Sequence, residues 1–358
     1  MSGQWLNITS IDTWMFRDGT PFDQSDAGAA IASSIFPPYP PTVAGAVRAA
    51  LWHGPLKGRW DTERLGNGVN WQEEPAQCSP LSFSAPVLLR DGQPLFSAPF
   101  NLVKVREGKG EIVRLRPAEK PIKTDLGDLR LPHPPRDVSV APLKEVWLTH
   151  AGMQKALAGE VLGEGDRAEE SELFEREERV GIAIDPATRR VEEGALYMAG
   201  HVRLMKDVSL AVELRGYEGD ELPEMLSTMA GEHRMAHFGV MGALELPKSP
   251  ENLKDGRYIV YLLSPLLLDA MPGPGGKLDK LPGKVVGACT GKAIRIGGWD
   301  SRGARGGYKG PLPLRAAIPA GSVFFMEEGA DGDPAQWHGE HIGKATEWGF
   351  GQILIGKW

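Results

Sequence analysis

Four prolines within five residues constrain the start of this chain more than any other feature. The segment Phe36–Thr42 contains Pro37, Pro38, Pro40 and Pro41. Proline lacks the amide hydrogen of a helix and clashes with the preceding turn, so a helix is excluded until the run ends. Thr42 follows as the expected N-cap. Small and branched apolar residues then recur at 3.6-residue spacing and predict an amphipathic helix that leaves Arg48 off its apolar stripe (Val43, Ala46, Val47, Ala50 and Leu51).

The segments around this helix indicate an α+β chain. Trp5–Phe16 mixes β-branched and aromatic residues before an Asp-Gly turn at 18–19, so it is predicted as a strand. Asn101–Arg130 holds eight basic and five acidic residues in a loose pattern typical of a long hairpin or insertion. Three further elements are predicted: a helix over Trp147–Leu162 with a break at Gly159, a hairpin over Arg179–Tyr197, and a short helix over Leu222–Ala230.

A second strand-rich unit begins near Arg257, where Tyr258–Leu263 is continuously apolar, and it ends with a strand over Gln352–Gly356. The 358 residues suffice for two domains. We therefore expect an N-terminal α+β domain over 1–250 with insertions at about 85–178, and a C-terminal one over 251–358. Each would be a sheet with helices on one face.

The charge distribution accommodates an anionic ligand. The formal net charge is -7, and nucleic-acid binding usually calls for a basic surface. Residues 160–178 alone hold nine acidic residues against two arginines, so the rest of the chain is neutral overall. Such a run is typical of a solvated helix face or loop, and a contact with a basic partner protein is the alternative.

Cysteine content and hydropathy favour the cytoplasm. Cys78 and Cys289 lie far apart without metal-ligand spacing, which suits a reducing compartment. The N-terminal residues do not resemble a signal peptide, and no run of apolar residues is long enough to span a membrane.

The most unusual segment is Gly291–Gly310, with seven glycines and five basic residues against Asp300 alone. Glycine lets backbone amides approach phosphates, arginine adds bidentate contacts, and Trp299 or Tyr308 could stack on an unpaired base. The segment therefore suits single-stranded nucleic acid, and a flexible surface loop is the competing interpretation.

A second glycine cluster, Gly349–Phe350–Gly351, precedes the last strand. It lacks the Lys-Ser/Thr of a Walker site and the following helix of a dinucleotide site. Its amides could cradle a phosphate backbone, or the cluster could be a tight structural turn.

The histidines do not form a recognised catalytic or metal motif. His233 and His237 lack the glutamate that a metalloprotease places directly after its first histidine. The pair His338 and His341 falls in a glycine-rich segment expected to be exposed. We expect no metal, no cofactor and no catalytic residue.

Five blocks in this order resemble one family, the Cmr subunit three proteins of type III-B CRISPR systems, which are RAMP proteins. The blocks span nearly the whole chain: Phe16–Phe22, Phe36–Arg48, Arg179–Asp185 with Glu193–Tyr197, Gly298–Asp300 through Pro319–Phe324, and Gly349–Gly351. One departure is Ala230, which stands before Gly231-Glu232-His233-Arg234 where the family often has a second glycine.

The resemblance implies two ferredoxin-like (RRM-like) domains with glycine-rich loops and inserted hairpins. It also implies that the chain grips the single-stranded 5-prime repeat-derived handle of the crRNA. The large palm-domain subunit and a backbone RAMP subunit would be neighbours, with target RNA nearby. The expected RNA contacts are Arg17, Arg48, Arg234, Trp299, Arg302, Arg305, Lys309, Gly349, Phe350 and Gly351.

Two other functions stay open from the sequence. Some relatives of RAMP subunits cut repeat RNA without a metal, using a histidine or tyrosine as acid or base, so a handle-processing endoribonuclease is the first alternative. The second is an unrelated two-domain enzyme that holds a phosphorylated small molecule with the Gly291–Gly310 segment. The lack of a paired catalytic constellation weighs against it.

Overall fold

A computed structural model describes residues 3–17, 19, 30–59, 61–66, 71–72, 80–107, 110–125, 127–185, 187–219, 222–251, 253, 256–305, 308–327 and 332–358. Its helices are α1 (Pro40–His53), α2 (Thr62–Leu65) and α3 (His150–Ala158), with 3-10 turns at Glu164–Asp166, Glu170–Glu172, Pro334–Trp337 and Thr346–Trp348. None of the helices in these ranges has the length and apolar character needed to cross a membrane.

The strands, in chain order, are β1 (Gln4–Ser10), β2 (Ala30–Ala32), β3 (Ser82–Phe83), β4 (Val87–Arg90), β5 (Gln93–Ser97), β6 (Leu102–Val105), β7 (Ile112–Arg114), β8 (Arg116–Pro117), β9 (Ile122–Thr124), β10 (Gly127–Leu129), β11 (Pro132–His133), β12 (Val140–Pro142), β13 (Val146–Thr149), β14 (Arg167–Glu169), β15 (Phe174–Ile184), β16 (Val191–Leu204), β17 (Val208–Arg215), β18 (Met225–Thr228), β19 (Met235–Met241), β20 (Arg257–Leu262), β21 (Lys284–Cys289), β22 (Ile294–Ile296), β23 (Trp299–Arg305), β24 (Tyr308–Pro311), β25 (Arg315–Ala317), β26 (Val323–Glu327) and β27 (Ile353–Gly356).

Two antiparallel sheets organise the molecule. The larger has the order β14-β13-β5-β4-β17-β1-β19-β18, with β3 beside β17. The smaller has the order β21-β26-β20-β27. Four adjacent strands of the larger sheet, β4-β17-β1-β19, share an arrangement with the four strands of the smaller sheet. In each set, the strand that comes first in the chain lies between the third and the fourth. The α+β prediction is confirmed, whereas the described residues from 256 onward contain 3-10 turns and no α-helix. The assignment of two ferredoxin-like domains therefore stays a prediction, as does the boundary at 250.

Both faces of the larger sheet are buried. Alternate residues along its strands point to opposite sides, so each strand contributes to two cores. Leu6 and Ile8 of β1 face α1, which contributes Val43, Val47 and Leu51. The other face carries Trp5, Val87 and Phe96 and packs against α3 and the smaller sheet, from which Ile259, Tyr261, Phe325 and Leu354 enter the same core. Tyr261 donates its hydroxyl to the carbonyl of Ser97 across this junction, at 2.8 Å. The N-terminal half, which forms the larger sheet, and the C-terminal half, which forms the smaller one, are thus joined by a shared apolar core.

The start of α1 lies two residues before the predicted N-cap. Tyr39 is the N-cap, with φ -66° and ψ 149°, and Pro40 and Pro41 occupy the first two helical positions. Proline is tolerated there because those amides have no intrahelical acceptor. Arg48, expected off the apolar stripe, is only 5% exposed. It is buried on a second side of the helix.

Two predicted helices are wrong in whole or in part. Leu222–Ala230 contains the edge strand β18 instead, whose alternating burial and pairing with β19 override helix propensity. Trp147–Leu162 begins as β13, and the helix runs only from His150 to Ala158. The predicted break is confirmed, since Gly159 ends α3 in the left-handed conformation at φ 84°.

The predicted hairpin is confirmed, and it extends to the whole of β15 and β16. The segment predicted as a long hairpin or insertion contains the short strands β6 to β10, and whether it is an insertion stays a prediction. The acidic run over 160–178 is not a helix face, because it passes through β14, two 3-10 turns and the start of β15. One of its acids, Asp166, is buried against Lys155 at 2.8 Å, and hydrogen bonds from Lys155 and from the Gly163 amide lower its pKa.

The shared core predicts that the two halves unfold together. Phe325→Ala should lower the free energy of unfolding by about 3–5 kcal/mol, because it removes a fully buried ring from the junction. Val240→Ala, at a residue 46% exposed, should change it by less than about 0.5 kcal/mol. Denaturant unfolding followed by tryptophan fluorescence and circular dichroism would measure both. Two separate transitions in the Phe325 variant would contradict the shared core.

Candidate nucleic-acid interface

An open groove of about 750 Å³ lies where segments of both halves meet. Its floor and walls come from the segment after β1, the start of α1, the turn before β19, and the chain on either side of the β23–β24 hairpin. The described lining residues are Met15, Phe16, Arg17, Gly19, Ile35, Tyr39, Pro41, Thr42, Met229, Ala230, Gly231, Glu232, Arg295, Ile296, Gly297, Gly298, Trp299, Pro311, Leu312 and Leu314.

Backbone hydrogen bonds fix the N-terminal wall of the groove. The amide of Ile35 donates to the carbonyl of Phe16 at 2.8 Å, and the amide of Phe16 donates to Ser34 Oγ at 2.8 Å. On the other side, the amide of Gly231 donates to the carbonyl of Met15 at 2.9 Å. The segment Met15–Arg17 is therefore held between the proline run and the turn before β19. Arg17 stands exposed at its end.

The glycines of the C-terminal wall are packed. Trp71 donates its indole N–H to the carbonyl of Gly297 at 3.2 Å, and the Leu312 amide donates to the carbonyl of Gly298 at 2.9 Å. A Cβ at position 298 would lie 2.9 Å from Leu312 Cδ1, the end of a flexible side chain. Hydrogen bonds from Trp71 and Leu312 thus hold the carbonyls of both glycines, which favours a defined conformation over a flexible loop here.

Beyond Gly298 the segment forms an antiparallel hairpin of β23 and β24, in which Trp299 pairs with Pro311 and Asp300 with Gly310. Trp299 is 68% exposed, whereas its neighbour Asp300 is 6% exposed, as expected for adjacent residues on opposite faces of a strand. The acid of this segment is thereby turned inward and the tryptophan ring outward. Lys309 is exposed on β24, and the side chains of Arg302 and Arg305 lie outside the described part of the chain.

The groove can therefore offer cations and an aromatic ring together. Arg17 and Arg295 are exposed and lie along it with Trp299. Guanidinium groups bind phosphates, and an exposed indole is a platform for an unpaired base. Arg17 and Trp299 were predicted from sequence and are brought together here, while Arg295 was counted among the basic residues without being assigned a contact.

Over residues 6–358, the chain matches the family described as CRISPR-associated protein (Cas_Cmr3). The chain belongs to this family. A comparison with curated protein sequences finds no match.

Two solved structures resemble this chain. One is the cryo-EM structure of the type III-B Cmr-beta bound to cognate target RNA, with a TM-score of 0.50 and 17% identity over 90% of this chain and 86% of the other. The same assembly with target RNA and AMPPnP, in state 1, gives a TM-score of 0.48 and 16% identity over the same shares. At 17% identity, the likeness to the structure with target RNA alone shows a similar fold.

Arg234 lies beside the groove in a network of ion pairs. Its guanidinium is 3.2 Å from Asp12 Oδ2 and 3.3 Å from Glu232 Oε2. Asp12 also contacts Arg179 and Arg203. Slight burial raises the pKa of Asp12, but the neighbouring arginines outweigh it and lower that pKa. The positive charge of Arg234 is thus largely compensated, and its main described contacts hold the turn before β19.

Four predicted contact residues have packing roles, which corrects their assignment to RNA. The guanidinium of Arg48 lies 4.4 Å from the ring of Trp348, and this cation–π contact joins α1 to the turn before β27. Phe350 is fully buried beside Trp71, with ring centroids 5.3 Å apart. The flanking Gly349 and Gly351 are also buried. Neither the ring nor the glycines present a surface to a ligand.

The two glycines are required by backbone geometry. Gly349 and Gly351 have φ of 88° and 68°, and a Cβ would lie 2.4 Å from the Ser84 carbonyl oxygen at the first and 1.9 Å from the Ile342 carbonyl oxygen at the second. Both oxygens belong to the backbone and cannot rotate away. The tight structural turn, left open from the sequence, is the arrangement observed.

The histidines of the second pair also serve the core. His338 Nδ1 accepts from the Ile355 amide at 3.0 Å, and its Nε2 lies 2.6 Å from the Pro247 carbonyl. His341 Nδ1 lies 2.8 Å from the Phe350 carbonyl. Burial lowers the pKa of both rings. They are part-buried, so their predicted exposure is wrong, and His233 and His237 lie in a turn and in β19. Within the described ranges, no three His, Cys, Asp or Glu residues come together as a metal site would require.

A substitution pair tests the packing role of the glycine cluster. Gly351→Ala should destabilise the fold by at least about 2 kcal/mol, because the new methyl group forces the backbone apart at a left-handed position. Gly45→Ala should stabilise it by about 0.5–1 kcal/mol, since α1 has open space there and alanine favours helix. Thermal unfolding would measure both. A stable Gly351 variant that binds RNA weakly would restore the cluster as a ligand site.

Proposed function

We propose that this chain is the RNA-binding subunit of a type III-B CRISPR effector and grips the single-stranded 5-prime handle of the crRNA. The observation that carries the proposal is the meeting of Arg17, Arg295 and the exposed Trp299 in one groove. A large palm-domain subunit and a RAMP backbone subunit would be its neighbours, with target RNA nearby and the cytoplasm as the compartment. Family membership and the fold of the Cmr-beta structure support this assignment.

The groove suits a single strand better than a duplex. Single-strand binders combine cations that track phosphates with rings on which bases stack. Duplex DNA hides its base faces, and its readers usually place a helix or ribbon in the major groove. We therefore expect handle RNA to bind more tightly than duplex DNA of equal length.

Local charge makes the groove compatible with a net charge of -7. Many acids near it are paired within the protein, as Asp12 is with three arginines and Glu177 with Arg179 and Arg203. The Asp300 carboxylate is buried at the base of the hairpin. Repulsion of phosphates is thereby reduced along the groove. Because the attraction comes from a few local cations, we expect binding by the free subunit to be salt-sensitive. Affinity should therefore be measured for the free chain and for the assembled complex.

The two ferredoxin-like domains of the family are part of this proposal. The strand order shared by the two sheets supports them, and a common sheet surface with glycine-rich connections on one side is a recurrent RNA-binding arrangement.

Salt dependence tests the hairpin. The triple variant Arg302→Ala, Arg305→Ala and Lys309→Ala should bind handle RNA more weakly. Each lost phosphate contact should reduce the slope of log K against log salt by about 0.7. Fluorescence anisotropy over a salt series would measure it. The matched control replaces three exposed lysines outside the groove, Lys206, Lys248 and Lys277, and should leave the slope unchanged. A folded triple variant with unchanged affinity and slope would refute the role of the hairpin.

Trp299→Ala gives the complementary pattern in the same assay. Loss of a stacking ring should cost about 1–3 kcal/mol of binding while the salt slope is retained. The ring is 68% exposed, so the melting temperature should hold. A fall in melting temperature without loss of affinity would show that the ring only packs.

We further propose that the chain is not a nuclease. His201 lies near the groove wall, but its side chain is fully buried and contacts Thr13 and Glu232, so it cannot reach a ribose hydroxyl. The purified chain incubated with repeat RNA in EDTA should therefore leave the RNA intact. Specific cleavage that is lost on replacing His201, His233 or His237 would establish the endoribonuclease instead.

A further inference from the structure

Among the described lining residues of the groove, Glu232 is the acid. A carboxylate beside Arg17, Arg295 and Trp299 repels the phosphates that the rest of the groove attracts. The position of Glu232 therefore disfavours the phosphate backbone of a bound RNA and suits a ligand group other than phosphate.

The backbone holds Glu232 in place against its own preference. Glu232 and His233 both adopt left-handed conformations, with φ of 55° and 54°. Such residues persist only where surrounding contacts over-determine them. Here the turn is closed by the Arg234 amide donating to the Gly231 carbonyl at 3.2 Å and the Met229 amide donating to the Arg234 carbonyl at 3.0 Å.

The two oxygens of the Glu232 carboxylate have different surroundings. Arg234 donates to Oε2 at 3.3 Å, and His201 Nε2 lies 3.1 Å from the same oxygen, though off the line of a straight hydrogen bond. No donor from the described residues reaches Oε1, and the side chain is 33% exposed. One oxygen is thus anchored and the other is a preoriented acceptor at the groove.

We propose that Glu232 Oε1 accepts a hydrogen bond from the exocyclic amine of an unpaired RNA base stacked on Trp299. Adenine, cytosine and guanine carry such an amine and uracil does not, and carboxylates are known to accept from the cytosine amine. Glu232 is then the residue that gives the groove a base preference, while the arginines and the ring supply affinity for any single strand. This inference rests on the proposed RNA-binding function.

The test uses the full-length chain and a series of handle RNAs. In each RNA one adenine, cytosine or guanine is replaced by the analogue that carries hydrogen in place of its exocyclic amine. At one position the loss of the amine should weaken binding of the unmodified protein about tenfold, as a hydrogen bond to a charged group is lost. This comparison requires no protein variant and so is independent of any folding defect.

Glu232→Gln supplies the decisive second arm. The glutamine carbonyl can take the place of Oε2 beside Arg234, which puts an amide donor where Oε1 was. The tenfold dependence on the base amine should disappear, and uracil, with a carbonyl at that position, should become the preferred base. A role confined to holding the turn would not reverse the preference. The control is Glu224→Gln. Glu224 also pairs with a histidine, His237, but it lies outside the described lining of the groove, so this variant should behave as the unmodified protein.

The outcomes separate the two proposals. Binding of handle RNA without amine dependence at any position, or with a dependence that survives in Glu232→Gln, overturns the base-reading role and leaves the RNA-binding function intact. Failure of the chain to bind any single-stranded RNA overturns the proposed function itself, and the base-reading role falls with it.

Discussion

The junction between the two sheets determines where every candidate ligand group lies. One face of the larger sheet and one face of the smaller sheet bury their apolar side chains against each other, with Phe96 on one side and Tyr261 and Phe325 on the other. Burial of each such side chain contributes about 1.5–3 kcal/mol. The Tyr261 hydroxyl finds its acceptor in Ser97 across the junction, so this buried phenol is hydrogen-bonded. Arg17 from the first half and Trp299 from the second can share a groove only because this junction fixes the two halves relative to each other.

Charge is arranged at a finer scale than the net value reveals. The acidic run over 160–178 supplies Asp166 to Lys155 and Glu177 to Arg203, so part of its charge is neutralised within the fold. Asp12 gathers Arg179, Arg203 and Arg234 at the edge of the groove, whereas no ion pair of Arg295 or Lys309 is found among the described residues. A protein that is acidic overall can thus keep cations available along one surface.

The sequence predicted elements whose patterns are local. The apolar strand β20 and the helix stop at Gly159 were found because buried strands and left-handed glycines have characteristic local signals. The edge strand β18 was predicted as a helix, since four residues paired with β19 carry little signal of their own. For the groove, the exposed Trp299 and Arg17 were identified from residue chemistry and family resemblance. The burial of Arg48 and Phe350 depends on contacts with Trp348 and Trp71 that are distant in sequence. The approach of His201 to Glu232 is likewise a long-range contact that no local pattern reveals.

Photocrosslinking of handle RNA to the full-length chain, followed by mass spectrometry of the adducts, tests the central claim most directly. If the groove holds the RNA, adducts will concentrate on peptides that contain Trp299, Arg295 and Arg17, and excess unlabelled handle RNA will suppress them. Adducts confined to the short ribbons over 102–142, or to the loop over 265–283, with Trp299 unmodified, would contradict the account and move the RNA to another surface.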